Sequence, residues 1–207
     1  MGATPTQTGI VNRAAALLGS TARISSITQV APLAQHALAH WDEVLRELLA
    51  EHPWNFAIKR TEISAAAEAP PFGYDNRFAL PADCIRWLPP SQEEADWFEA
   101  VEEGNHLLTN AEAPLPVRYI SSDLGYDLVR WPPHFATAMA YALAEMLAEP
   151  VTQSETLKSD MRDDAAVKLR LAKRRDGQAS GNIRRSVVTA KSDWLSARVT
   201  PYYFHGR

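Results

Sequence analysis

With 207 residues, 46% of them hydrophobic, the chain is long enough to bury one core, or one core with a small satellite. No apolar run approaches the roughly 20 residues of a membrane span, the N-terminal stretch lacks the charged-then-apolar pattern of a signal peptide, and the single Cys84 excludes an intrachain disulfide and any cysteine-based zinc site. A soluble protein made in a cytoplasm is expected, with Cys84 as a small core residue. Charge is unevenly spread: residues 168–207 carry ten Lys/Arg against two acids, net +8, whereas residues 1–167 carry eleven against twenty-three, net −12.

Thr4-Pro5 predicts the N-cap and first position of a helix, with Gln7 completing a capping box. Ile10, Ala14, Leu17 and Leu18 form its apolar face and Gly19 stops it. After a loop through Ile24 and Ile27, a second helix begins near Pro32. Its stripe is Ala37, Trp41, Val44, Leu45, Leu48 and Leu49, and it ends before Pro53. These two helices are expected to pack together.

From Trp54 the period changes to short runs rich in aromatic and β-branched residues. They are Phe56 with Ile58, Tyr74 to Leu80, Ile85 to Leu88, Phe98 to Val101, His106 to Thr109 and Val117 to Ile120. Glu103-Gly104-Asn105 reads as a hairpin turn. One small antiparallel sheet inserted between the helices is expected. Pro53 ends the second helix, leaving Trp54 and Phe56 to cover the seam between helices and sheet. Pro81 and Asp83 form a turn that points Phe78 and Leu80 on one side, and Ile85 and Trp87 on the other, into one small core.

Helical spacing resumes after Pro132-Pro133 with Phe135, Met139, Ala142, Leu143, Met146 and Leu147. A last helix is predicted from the capping box Thr152-x-x-Glu155 through Leu157, Met161, Ala165 and Leu169 to Gly177. Lys173, Arg174 and Arg175 in its final turns suit the helix dipole. The expected fold class is α+β: a four-helix bundle from residues 1–53 and 122–177, an inserted sheet at 54–121, and an extended arm at 178–207. The arm passes Ser180, Gly181 and Asn182, and carries Arg184, Arg185, Trp194, Leu195, Pro201, Tyr202, Tyr203 and Phe204. So polar a segment cannot bury enough surface to fold alone, and its aromatics are costly to leave in water, so it reads as an arm gripped by a partner.

Catalytic patterns do not emerge. There is no Walker loop, no Gly-x-Gly-x-x-Gly, no Gly-x-Ser-x-Gly and no His-Glu-x-x-His. His36 and His40 share a helix face but lack a third ligand at a supporting spacing. Asp160, Asp163 and Asp164 are read as partners of Arg162, Lys168 or a neighbouring subunit, and Glu145 and Glu149 as solvated residues on a polar helix face. No catalytic, cofactor or metal site is therefore expected.

The pieces HPWNFAIKR (residues 52–60), PPFGYDNRFALPADCIRWL (70–88), VRYI (117–120) and WPPHFATAMAYALAEMLAEPVTQS (131–154) occur here in order before a long charged helix. In that order and spacing the chain resembles the head-to-tail adaptor proteins of tailed bacteriophages, the tail tubular protein A-like group, over roughly residues 5–175. The most specific pieces are Pro-Trp-x-Phe-Ala and Phe-x-Leu-Pro-x-Asp-Cys. The resemblance implies a structural virion protein at the capsid vertex, assembled as a dodecameric ring beneath the portal protein. Such a ring extends the channel for double-stranded DNA, without sequence-specific binding, and docks a tail or nozzle protein. In related adaptors the C-terminal segment reaches into the portal. That gives Arg184, Arg185, Trp194, Leu195, Tyr202, Tyr203 and Phe204 as expected portal-binding residues, Arg and aromatic side chains being favoured interface anchors. An acidic body suits a DNA conduit, because basic linings add phosphate binding that resists ejection. Two other classes compete. One is a nucleic-acid-binding accessory protein using residues 168–185 on phosphate and Trp194, Tyr202 and Tyr203 for stacking, which the acidic remainder opposes. The other is a tail-associated cell-wall hydrolase using two of the carboxylates.

Overall fold

The computed structural model describes residues 4–90 and 97–179. α1 (Gln7–Leu17) starts later than the Thr4-Pro5 pattern predicts. Thr6 is its N-cap, the hydroxyl accepting the Gly9 N–H at 3.1 Å, so Pro5 lies outside the helix. Ile10, Val11, Ala14 and Ala15 are buried, and Gly19, at φ 71°, supplies the left-handed turn that ends it. In α2 (Pro32–Glu51) the whole predicted stripe is buried, from Ala37 and Trp41 to Leu48 and Leu49.

α1 and α2 do not mainly pack on each other, as expected, but both lie on α4 (Pro133–Thr152). The reason is the composition of α4. Phe135, Met139 and Leu143 share it with Ala136, Ala138, Ala140, Ala144, Leu147 and Ala148, all buried. A helix apolar on several sides, with alanines that let neighbours approach, becomes the element others are built around. α5 (Glu155–Ala179) packs on it as well.

The junction between α4 and α5 also differs from the Thr152 capping box. Thr152 is the last residue of α4, its hydroxyl donating to the Ala148 carbonyl at 2.6 Å. Gln153 takes the left-handed conformation (φ 55°), and Ser154 caps α5 by accepting the Leu157 N–H at 3.2 Å. α5 does not stop at Gly177 but continues to Ala179. A glycine only permits a C-cap, and the turn holding this one is fixed by the buried Asp176.

The segment between α2 and α4 forms two three-stranded antiparallel sheets rather than one. In the first, β6 (Leu115–Ser121) is central between β1 (Ile58–Ile63) and β3 (Cys84–Trp87). In the second, β5 (His106–Thr109) is central between β2 (Asn76–Ala79) and β4 (Ala100–Glu103). The Pro81–Asp83 turn, closed by the Cys84 N–H on the Pro81 carbonyl at 2.9 Å, sends β2 and β3 into different sheets. β4 and β5 form the predicted hairpin, with Gly104 at φ 59°.

The sheets enclose a second core of Phe78, Leu80, Leu107, Leu115, Val117 and Tyr119, with Trp87 and the half-buried Cys84 at its margin. Ile85, expected there, packs instead against the helical core. A register shift between Cys84 and Arg86 breaks the alternation that should have put Ile85 and Trp87 on one face. The predicted seam between helices and sheets is present. Trp54 is fully buried, donates its indole N–H to the Leu48 carbonyl at 2.7 Å and meets Phe135 edge-on at 4.9 Å, while Phe56 is 4.8 Å from Phe135. Past β6 a short helix, α3 (Ser122–Gly125), leads back to α4, and Trp131 donates to the Gly125 carbonyl at 2.7 Å. Gly125 lets Leu49 approach closely: an added Cβ would lie 2.5 Å from Leu49 Cδ1, so that buried side chain would have to shift.

Candidate functional site: two polar clusters and the root of the C-terminal segment

Arg184, Arg185, Trp194, Leu195, Tyr202, Tyr203 and Phe204, the expected portal-binding residues, lie outside the described residues. Their root is α5. Only Met161, Ala165, Ala172 and Asp176 of that helix are buried. The partly buried Leu157 and Leu169 also pack on the helical core, and charged contacts add to this hold. Arg162 donates to Glu145 at 3.0 Å and Lys158 to Glu149 at 2.8 Å, Lys168 sits 5.1 Å from the Tyr141 ring centroid, and Lys173 reaches Glu51 on α2. Glu145 and Glu149 are thus partners for α5, not simply solvated. Arg162 is taken by Glu145, while Asp160, Asp163 and Asp164 are exposed. Exposed pairs of this sort are screened by solvent and individually weak.

The first polar cluster is built on Asp83, at the tip of the turn between the sheets. Tyr119 donates its hydroxyl to one carboxylate oxygen at 2.9 Å, and Ser121 at 2.6 Å and Lys59 at 2.9 Å donate to the other. Lys59 also reaches Asp123 at 3.5 Å. Burial works against ionising Asp83, but the bonds from Lys59, Ser121 and Tyr119 outweigh it and hold the carboxyl at about 2. The bond to Asp83 keeps Lys59 charged well above the usual lysine range. Burial, followed by the bond to Asp83, pushes Tyr119 up to about 12, and burial, with Glu102 and Asp83 adding to it, pushes Cys84 up to about 11. A general base, an acidic phenol or a nucleophilic thiolate needs the opposite displacements. This arrangement ties β1, β6 and the turn together.

A depressed carboxyl contributes stability that is present above its unfolded value, 3.8, and lost as pH falls through about 2. Asp83→Asn should therefore lower unfolding stability by on the order of 2 kcal/mol at pH 7, with the gap from wild type narrowing below pH 4. Urea unfolding across that range measures it. A gap that stays constant with pH would remove the electrostatic account.

The second cluster surrounds Asp176, 3% exposed near the end of α5. His52 Nε2 from the end of α2 is 3.2 Å from one carboxylate oxygen, and His134 Nε2 from the first turn of α4 is 3.8 Å from the other. Asn55 adds two bonds, its N–H to the carboxylate at 3.2 Å and its side-chain amide to the Asp176 carbonyl at 2.7 Å. Trp54 walls the site, its ring 4.8 Å from His52 and 6.5 Å from His134. Burial lowers His134 below its ordinary range, and Arg175 and His52 push the same way against the pull of Asp176.

None of these partnerships was anticipated, although one signal existed. An acid among Lys173, Arg174 and Arg175 at a helix C-terminus opposes the dipole, and such a residue calls for a tertiary partner. His36 is exposed and His40 lies 3.9 Å from Glu43. Among the described residues no group of histidine, cysteine or acidic side chains is arranged to hold a metal ion, and no helix is long and apolar enough to cross a membrane. A shallow cleft of about 280 Å³ beside the first sheet is lined by residues including Arg60, Glu62, Trp87, Leu88, Pro116 and Arg118, without a carboxylate pair. No protein-family model matches the chain, and no curated protein matches it significantly.

Proposed function

We propose that this chain is a head-to-tail adaptor of a tailed bacteriophage, a structural virion protein that forms a ring beneath the portal, extends the DNA channel and docks a tail or nozzle protein. The four long helices are its bundle, the paired sheets its insertion, and the C-terminal segment its grip on the portal. The observation that carries the reading is the division of the chain. A body of net charge −12 through residue 167 leads, by α5, into a basic segment loaded with aromatics. Exposed Asp42, Glu43 and Glu47 on α2 make part of the body's surface acidic. An acidic wall repels phosphate, which suits a conduit, and an Arg- and Tyr-rich extension suits anchoring in a protein pocket. The sequence pieces that carry the resemblance include the junction after α2, where Trp54 and Phe56 cover the seam between helices and sheets.

In a ring each subunit offers one surface and receives another, and closure needs a fixed rotation. The portal supplies that template. Purified protein is therefore expected to be largely monomeric, with rings appearing when portal is added, as read by sedimentation and negative-stain micrographs. No ring and no complex with portal would overturn the adaptor reading. DNA binding by the free protein that weakens steeply with salt would favour a nucleic-acid-binding accessory instead.

A further inference from the structure

Between α2 and α5, over α4, runs a groove of about 190 Å³. Val44 and Leu48, Ala142 and Met146, and Ala165 and Leu169 give it an apolar lining. Val44, Leu48 and Ala165 are buried in its walls, whereas Ala142, Met146 and Leu169 are only partly covered. That leaves room for one large side chain entering from solvent. The rim is acidic. It carries Glu47 and Glu51, one turn apart on α2, and Glu145 on α4, and among the described residues lining the groove the only cation is Arg162. Glu145 holds Arg162 and Glu51 reaches Lys173, but Glu47 is exposed, and the exposed Glu43 continues the same edge of α2. An apolar slot with an acidic rim fits an aromatic side chain flanked by cations.

The chain carries such a segment within reach. Residues 180–207 follow directly on α5, the helix that forms one wall, and hold five Lys/Arg against one acid. Trp194 has Lys191 three positions before it and Arg198 four positions after it. Leu169 and Arg162 lie ten and seventeen residues before Ala179, which places the groove about 15–26 Å back along α5 at the helical rise. The fifteen residues from Ala179 to Trp194 span at most roughly 50 Å, enough to turn back over that distance. An indole is costly to leave in water, and attachment to the same chain makes its docking an intramolecular step, favoured over capture of a free partner.

We propose that the groove between α2, α4 and α5 is a dock for the C-terminal segment of the same chain, with Trp194 in the slot and Lys191 and Arg198 on the acidic rim. Trp194 is then covered in the free protein and released only to a surface that binds it better. The dock is made of the body and the segment alone, so it stands or falls apart from the adaptor reading.

Fluorine NMR of the full-length protein carrying fluorotryptophan tests it, with a soluble paramagnetic agent reporting how far each ring meets solvent. Trp194→Phe assigns the Trp194 signal among the six tryptophans. In wild type the agent should broaden that signal several-fold less than in the same protein unfolded in urea. Two variants act on exposed groove residues: Ala166→Phe fills the slot from its edge, and Glu47→Lys reverses the rim charge. Each should expose Trp194 to the agent several-fold more. Trp41, Trp54 and Trp131, buried in the helical core, should stay shielded in both variants, which separates undocking from failure to fold. Shielding of Trp194 should persist on dilution. A Trp194 ring as open in wild type as in urea, or one that neither variant exposes further, would overturn the dock. Shielding that disappears on dilution would put the segment on a neighbouring copy and overturn the same-chain assignment.

Discussion

Phe135→Ala should lower unfolding stability by about 3–5 kcal/mol, the range for emptying a buried aromatic site. Phe135 is fully buried and meets Trp54 edge-on at 4.9 Å, Phe56 at 4.8 Å and Trp131 at 4.8 Å. Its removal leaves three rings facing a void. Trp41→Ala belongs to the same range, since Trp41 is 4% exposed and stacks on Trp131 at 6.2 Å. For a chain of this size each kcal/mol shifts the melting temperature by about 2–4 °C, so a fall of roughly 6–20 °C is expected. Val129→Ala, at a residue 75% exposed, should change stability by less than about 0.5 kcal/mol and serves as the control. Melting of both aromatic variants near wild type would sink the assignment of this core.

Removing residues 180–207 should abolish attachment to portal while leaving the rest of the chain folded. The cut falls after α5 rather than at residue 178, because the helix runs to Ala179 and the Asp176 cluster lies within its last turns. Arg184, Arg185, Trp194, Leu195, Tyr202, Tyr203 and Phe204 all go with the deleted piece. Within it the aromatics should matter more than the arginines. Truncating a buried Trp or Tyr at an interface commonly costs about 2 kcal/mol or more, some thirtyfold in affinity, whereas rim charges chiefly tune association rate and salt dependence. The measurement is a portal pull-down with the shortened chain beside full-length Trp194→Ala and Tyr203→Ala. Undiminished binding of the shortened chain would mean that the segment serves DNA or a tail protein instead.

The helices were legible because their signal is periodic and local. The stripe from Ala37 to Leu49 is buried as read, and Pro32, Pro53 and Pro133 bound their helices for the reason prolines do. Which helix lies at the centre was not legible, since α4 earns that place through alanines whose value depends on what approaches them. The count of sheets failed on strands of four residues, too short to display which neighbour they pair with, and a register shift moved Ile85 to the other core. The polar clusters were hidden by distance along the chain. Asn55 and Asp176 are 121 positions apart, and Asp83 gathers donors from two strands that the turn beside it does not announce. Glu145 and Glu149 looked solvated because one-turn spacing says nothing about a neighbouring helix.

The pairing of β1 with β6 bears on how such a protein can diversify. Ile58 faces Ile120 and Ile63 faces Leu115, so the first and last strands of the insertion run side by side and its entry and exit meet at the helices. The stretch from residue 64 to 114 is therefore a closed excursion. Lengthening it alters loop-closure entropy only logarithmically and leaves the positions of α2 and α4 unchanged. The second sheet is in this sense free to vary, whereas β3 is not, because Ile85 and Leu88 pack into the helical core and Arg86 donates to the Ala50 carbonyl.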